Sequence, residues 1–224
     1  MALEKGYPLN VETELEEMGL MQVVDSQPIC YKVLVDSIET LTKDEATLLA
    51  QKLKIKKLEF DVQNQSQEKF LPFVRNVWPE FKEGKHHKII AKKFEDIANG
   101  KLKRLIVNMP PRHTKSEFAS FLFPAWFVGR KPRSKIMQTT HTGELAIRFG
   151  RKVRNLMDSS DYKKIFPKSF LQPDSMAAGR WETAQGGEYF AAGTGGAVTG
   201  RGADLLIIDD PHSEQDALSE TALD

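Results

Sequence analysis

The stretch "RLIVNMPPRHTKSE" (Arg104–Glu117) decides the fold prediction, because an apolar run leads directly into a basic turn. The run "RLIVNM" at its start predicts a short buried strand. Lys115 and Ser116 match the end of the phosphate-loop pattern GxxxxGK[ST], although Met109 and Thr114 stand where that pattern has glycines. On these residues alone, a nucleotide-binding loop and a basic turn that contains Lys-Ser by chance both stay open.

The position of this turn between a predicted strand and a predicted helix is the one that phosphate loops require. A helix N-terminus offers free N–H groups and a partial positive charge to an anion. Lys115 would reach the outer phosphates of a nucleotide, and the Ser116 hydroxyl would bind Mg²⁺. Pro110 and Pro111 would stiffen the loop, and Arg112 adds a second cation beside the phosphates.

A second motif is an apolar strand that ends in two carboxylates, "ADLLIIDD" (Ala203–Asp210). Asp209 follows Lys115 by 94 positions, which leaves room for two intervening strand–helix units. Ligands gather at the carboxyl edge of a parallel sheet, where one carboxylate can hold Mg²⁺ and another can orient or deprotonate a water. By itself this motif is equally an acidic strand-to-loop turn. Together the two motifs predict a nucleotide site.

Composition places the chain among ordinary globular proteins. Its 224 residues are 40% hydrophobic and 28% charged. No apolar run approaches the roughly 18–20 residues that span a bilayer, and the acidic start "MALEKGYPLNVETELEEM" does not resemble a signal peptide. A single cysteine, Cys30, excludes an internal disulfide. These features predict a cytoplasmic protein with no membrane partner.

The net charge of +1 conceals a division along the chain. Residues 82–104 carry eight Lys or Arg against three acids, and residues 111–154 carry ten against two. Residues 204–224 carry seven acids and no Lys or Arg. A basic middle suits a polyanion, either nucleotide phosphates or a nucleic-acid backbone, whereas solvated helix faces are the alternative for any single lysine.

The residue pattern of the N-terminal part predicts one helix followed by a linker. Thr42 and Glu45 form a capping box, and the helix that follows is predicted to end at about Leu58. The polar stretch "DVQNQSQEK" (Asp61–Lys69) predicts a linker. We therefore expect residues 1–65 to form a mainly helical appendage with a linker and residues 66–224 to form the main domain.

After Phe70 the pattern alternates between helices and strands, which predicts an α/β fold with a parallel sheet covered on both faces. "SKIMQTT" predicts a strand and "GELAIRFGRKVRNLM" a helix capped by Thr142. "RWETAQGGEYFAAG" predicts a hairpin that turns at Gly186 and Gly187. "FASFLFPAWFV" predicts a helix that Pro124 kinks or ends.

Two further features have less specific sequence signals. The glycine-rich stretch Gly193–Asp204 is not GxGxxG, and it predicts a loop that brings Arg201 towards phosphate or DNA, with a flexible surface loop as the alternative. His86 and His87 begin a helix without the company of other metal ligands, so we expect them to be exposed or to cap that helix.

Taken together, these residues resemble the ATPase domain of the large terminase subunits, the motors that pump DNA into the capsids of tailed bacteriophages. The resemblance covers about Phe70 to Glu220 and rests on five collinear stretches: "RLIVNMPPRHTKSE", "SFLFPAWFVGRKPRSKIMQTTHTGELAIRFGRKVRNLM", "IFPKSFL", "RWETAQGGEYFAAGTGGAVTGRGADLLIIDDPH" and "EQDALSE". In that family the phosphate loop often lacks its usual glycines and carries an arginine. The resemblance implies a P-loop NTPase fold of the ASCE/RecA-like class and a Mg²⁺-dependent ATPase.

The resemblance also implies roles for particular residues. ATP phosphates would bind the loop of Pro111, Arg112, His113, Thr114, Lys115 and Ser116, and Mg²⁺ would bind Ser116 and Asp209. Asp210 falls where the family has a catalytic glutamate, so its shorter side chain leaves Glu214 as the nearby substitute. Arg112 and Arg201 would act on phosphate, Arg201 either within the chain or on a neighbouring subunit.

The family continues beyond the acidic pair with a coupling motif, further ATPase core and a nuclease domain, and Asp210 is only 14 residues from Asp224. The strand of the coupling motif lies between the phosphate-loop strand and the acidic strand in that family. We therefore expect an incomplete sheet with a gap at this place. Either a second chain fills the gap, or the chain is a truncated or split version of the family's domain.

The implied partners are double-stranded DNA, contacted through its backbone, the portal protein and the small terminase subunit, with the chain in a homo-oligomeric ring. The implied location is the cytoplasm of an infected bacterium and, transiently, the procapsid portal. Two alternatives remain: another P-loop nucleic-acid translocase, or a DNA-binding or assembly module with a vestigial nucleotide site.

Overall fold

The computed structural model describes residues 42–196 and 200–212, and the chain divides into two compact units, Met1–Val62 and Gln63–Asp224. Cys30 and Glu214 lie outside the described residues. The elements, in chain order, are α1 (Lys43–Glu68), α2 (Phe70–Val77), α3 (Lys85–Ala98), a π-helical segment (Glu117–Leu122), α4 (Phe123–Arg130), β1 (Lys135–Thr140), α5 (Gly143–Asp158), α6 (Ser160–Ile165), β2 (Leu171–Ala177), β3 (Arg180–Thr183), β4 (Glu188–Gly193) and β5 (Leu205–Asp209).

The five strands form one mixed sheet in the order β2-β3-β4-β1-β5. Strands β4 and β5 pair with β1 in parallel, whereas β2, β3 and β4 pair antiparallel. The α/β class is therefore confirmed, but the prediction of a parallel sheet is right only for three strands. The predicted hairpin supplies the antiparallel part, because β3 and β4 are joined through Gly186, whose φ of 88° suits a residue without Cβ.

Helix α5 covers one face of the parallel strands. The Thr142 hydroxyl accepts a hydrogen bond from the Leu145 N–H at 3.3 Å, so the predicted N-cap is confirmed. The helix packs on β1 and β4, and Gly150 allows a close approach, since a Cβ there would lie 2.5 Å from the carbonyl oxygen of Ala178. Trp181 fills the adjoining space and donates to the Gly150 carbonyl at 3.1 Å.

Helix α1 runs through the stretch that the sequence predicts as a linker, so that prediction is wrong. Asp61, Glu68 and Lys69 are exposed, but other polar groups there contact the rest of the protein. Ser66 is fully buried, and its carbonyl accepts a hydrogen bond from the Trp126 indole at 2.9 Å. The amide of Gln67 donates to the Ile165 carbonyl. Helical structure persists because tertiary hydrogen bonds satisfy side chains that would otherwise favour solvent.

Residues 104–109 form no strand, although their apolar run predicts one. A strand exists only where a neighbour pairs with its N–H and C=O groups, and no described strand pairs with this segment. Ile106 is 88% exposed as a consequence. The prediction of a strand before the basic turn is therefore wrong within the described residues.

Strand β5 is the edge of the described sheet, because β1 pairs with one of its sides and no described strand pairs with the other. Its residues alternate in burial: Ile207 is buried, whereas Leu206 and Ile208 are 54% and 59% exposed. A groove of about 1420 Å³ separates the edge from residues 102–108. Unpaired backbone groups and exposed apolar side chains therefore face each other across this groove.

The helices within residues 42–196 and 200–212 include none with the length and apolar character of a membrane span.

The alternation along β5 gives a matched pair of substitutions. Ile207→Ala should lower the free energy of unfolding by about 2–5 kcal/mol, because it leaves a cavity in the core. Ile208→Ala should change it by less than about 0.5 kcal/mol, because the side chain already faces solvent. Urea unfolding monitored by circular dichroism measures both. Equal losses would show that the outer face of β5 is covered in solution.

Candidate functional site

Two residues of the basic turn have the left-handed backbone conformation that glycine adopts most readily. Arg112 and Thr114 have φ values of 62° and 63°, in the left-handed region. Thr114 occupies the second glycine position of the GxxxxGK[ST] pattern, so a β-branched side chain takes a conformation that costs about 1–3 kcal/mol. Thr114 therefore has a backbone conformation that glycine would adopt at lower cost.

The helix after the turn begins at Lys115. The carbonyl of Thr114 accepts a hydrogen bond from the Phe118 N–H at 2.9 Å, and Ser116 has helical backbone angles. The N–H groups of this first turn have no acceptor within the helix. Lys115 and these N–H groups therefore share the end of the helix at which an anion is stabilised.

The helix changes register before Pro124, which the sequence identifies as the point of a kink or an end. The segment Glu117–Leu122 is π-helical, and α4 begins at Phe123 with Pro124 in its first turn, where a missing N–H costs little. The wider turns place Ser120 against the acidic strand. Its hydroxyl donates to Asp209 Oδ2 at 2.8 Å in a buried position, a contact that the sequence does not indicate.

Asp209 and Asp210 lie at the carboxyl end of β5, as the strand prediction requires. Asp209 is buried and pairs in register with Thr140, the last residue of β1. Asp210 is exposed and has a φ of 45°, and its carbonyl accepts a hydrogen bond from the His141 N–H at 3.1 Å. The two carboxylates therefore differ in environment, one enclosed by protein and the other open to solvent.

The two motifs meet through Lys115. Its Nζ lies 2.5 Å from Asp210 Oδ1 and 3.7 Å from Asp209 Oδ1. The hydrogen bond with Asp210 raises the pKa of Lys115, against the effect of partial burial, and the charges of both carboxylates act in the same direction. Residues from the two sequence motifs thus form one cluster of a cation and two carboxylates.

The other described site residues that the sequence predicts lie either on the turn or at the opposite end of the parallel strands. Pro111, Arg112 and His113 are exposed on the turn. Arg201 lies towards the amino ends of the parallel strands, 2.9 Å from the Glu188 carboxylate, with its guanidinium over the Phe190 ring. The structure therefore does not bring Arg201 beside Lys115.

A Mg²⁺ ion at this site would depend on oxygen donors from the turn and from β5. The described residues contain no group of three or more His, Cys, Asp or Glu that could hold a metal by themselves. Ser116 and Asp209 offer two oxygen ligands, and Mg²⁺ in nucleotide sites takes its remaining ligands from phosphates and water. The cation and free N–H groups of the turn suit those phosphates.

Comparison with known proteins gives no match among protein-family models, curated proteins or solved structures. The class of the protein therefore depends on its residues and their geometry.

Replacement of Asp210 should change the titration of Lys115. Asp210→Asn should lower the pKa of Lys115, because it removes the charged acceptor that contributes most to the raised value. NMR titration of the lysine ¹⁵Nζ and ¹³Cε signals measures this pKa. Asp204→Asn is the matched control, since Asp204 accepts from the Lys135 N–H at the other end of β5. An unchanged Lys115 titration in Asp210→Asn would mean that the pair does not form in solution.

Proposed function

We propose that this chain is the ATP-binding and ATP-hydrolysing part of a motor that packages double-stranded DNA into a procapsid, with a P-loop NTPase fold similar to that of large terminase subunits. The observation that supports it best is the approach of Lys115 to Asp209 and Asp210. If the Lys-Ser pair occurred in this turn by chance, a contact between Lys115 and two carboxylates at the end of a distant strand would not be expected.

The cluster suggests how ATP hydrolysis proceeds. The γ-phosphate attracts Lys115 and the N–H groups of the turn, and Arg112 adds a second positive charge. Phosphate binding draws Lys115 away from Asp210, which frees that carboxylate to orient the attacking water. When bound, Mg²⁺ neutralises charge that develops on the phosphates, with Ser116 and Asp209 as its protein ligands. Glu214 is the alternative for orienting the water.

Double-stranded DNA is the proposed polyanionic partner, contacted through its phosphates without regard to sequence. Lys85, Lys88 and Lys92 are exposed on α3 and, spaced by three and four positions, lie on one face of that helix. The portal protein, the small terminase subunit and a homo-oligomeric ring are proposed with it. In such a ring Arg201, which lies away from its own Lys115, would act on the ATP of a neighbouring subunit.

A second chain is the proposed source of a strand in the groove beside β5. The groove has the unpaired edge of β5 on one side and residues 102–108 on the other. Leu206 and Ile208 would pack beneath whatever covers this side of the sheet. An added strand would satisfy backbone groups on β5 and would hold residues 104–109 next to the sheet.

The test is steady-state ATP hydrolysis by the purified chain with Mg²⁺. Lys115→Ala should reduce turnover by about 100-fold or more, because it removes the cation at the phosphates. Asp209→Asn should reduce turnover to a similar extent, because it removes a proposed Mg²⁺ ligand. Lys164→Ala is the matched control, since Lys164 pairs with Asp161 on α6 rather than with the cluster.

Each possible result distinguishes among the proposed functions. Binding of ATP without turnover would favour the DNA-binding or assembly module with a vestigial site. Turnover that Lys115→Ala does not change would exclude this cluster as the active site. Turnover stimulated by single-stranded rather than double-stranded DNA would favour another nucleic-acid translocase.

A further inference from the structure

The turn that precedes Lys115 is held in a conformation that its own sequence disfavours. Thr114 has a φ of 63°, and a β-branched residue rarely adopts the left-handed region. A contact from outside the turn offsets this cost. His87, 27 positions earlier on α3, places its Nε2 2.7 Å from the Thr114 hydroxyl oxygen.

The hydrogen bonds around His87 have one consistent set of directions. The Gly84 N–H donates to His87 Nδ1 at 2.8 Å, so Nδ1 has a lone pair and the ring proton is on Nε2. The Thr114 hydroxyl donates its hydrogen to the His113 carbonyl at 2.6 Å. It therefore accepts the hydrogen of His87 Nε2. The result is a continuous chain of hydrogen bonds from Gly84 at the start of α3 through His87 and Thr114 to the His113 carbonyl, which we call the relay.

The surroundings of His87 favour the neutral ring that this relay needs. The side chain is 4% exposed. Burial lowers the pKa of His87, the neighbouring His86 and His113 lower it further, and only Glu83 acts in the opposite direction. A doubly protonated ring would also set an N–H against the Gly84 N–H. Geometry and environment therefore agree on the same protonation state.

We propose that His87 is a positioning residue of the phosphate loop: its neutral imidazole holds Thr114 in the conformation that glycine supplies in the GxxxxGK[ST] pattern. Lys115 and the N–H groups of the first helical turn are thereby oriented before a phosphate binds. The inference rests on the proposed function for the identity of the anion, a phosphate of ATP. The pair of His87 and Thr114 takes the place of one glycine.

A thermodynamic cycle tests this directly, with His87→Phe, Thr114→Gly and the double variant in the full chain. Phenylalanine keeps a ring between Phe81 and Phe118, whose centroids lie 4.8 and 4.7 Å from that of His87, but it removes both hydrogen bonds. Thr114→Gly removes the strain that the relay offsets. If the two residues act as a unit, the effect of His87→Phe depends on the residue at 114.

The first readout is the affinity for mant-ADP with Mg²⁺, measured by fluorescence. His87→Phe should weaken binding about tenfold when Thr114 is present, equivalent to about 1.4 kcal/mol. In the Thr114→Gly background the same change should weaken binding by about twofold or less, since glycine needs no support. Equal losses in both backgrounds would overturn the proposal and leave His87 with a packing role.

Two variants keep the test decisive. His87→Gln should retain affinity within about threefold of the unsubstituted chain, because its amide N–H can donate from the position of Nε2. His87→Leu, which also lacks a side-chain donor, replaces His87→Phe in the cycle if that variant does not fold. His86→Phe is the matched control, since the His86 ring lies tilted beside that of His87, with 3.8 Å between the centroids, but is not the ring that bonds Thr114. Losses equal to that of His87→Phe in both variants would contradict the relay.

A second readout separates failure of this inference from failure of the proposed function. Amide hydrogen exchange of residues 112–116 reports the order of the turn without any nucleotide. His87→Phe should raise exchange there about tenfold with Thr114 present and leave it unchanged with Gly at 114. Absence of nucleotide binding together with this coupling would reject the ATP site and keep the relay. Unchanged exchange in both backgrounds would reject the relay.

Discussion

The parallel pairing of β5 with β1 is the constraint on which the candidate site depends. It sets Asp209 beside Thr140 and fixes Asp210 through the His141 N–H. A register slip of one residue would turn every β5 side chain to the opposite face of the sheet. Asp209 would then lose the Ser120 hydroxyl, and the buried side chains of β5 would move into solvent. Core packing and the position of the carboxylates are therefore fixed by the same hydrogen bonds.

Irregular backbone is concentrated where this edge of the sheet meets the helix that starts at Lys115. The left-handed residues Arg112 and Thr114 precede the helix, and a π-helical segment follows its first residues. Two of these irregularities have a partner elsewhere in the chain: His87 bonds Thr114, and Ser120 of the π-helical segment bonds Asp209. Strain of this kind persists only where surrounding structure determines it. The site is therefore held by contacts from α3 and β5 as much as by its own residues.

The sheet is less well covered beyond β5 than beyond β4. On the β4 side, the antiparallel hairpin continues the sheet, and Trp181 and Tyr189 stack at 4.7 Å. On the β5 side lies the groove, with exposed Leu206 and Ile208. Apolar side chains beside an unpaired edge are a surface that proteins usually cover. The proposed nucleotide cluster lies at the end of this edge, so whatever covers it would also adjoin Lys115.

The sequence by itself determined the elements with local signals, such as the hairpin at Gly186 and the helix capped by Thr142. It also indicated Lys115, Asp209 and Asp210 as candidate site residues, and the structure brings these three together. Only the tertiary structure decided that the predicted linker is helical, that residues 104–109 form no strand, and that His87 supports the turn. The physical reason is the range of the interactions: turns and caps involve neighbouring residues, whereas strand pairing and buried hydrogen bonds join residues far apart in the chain.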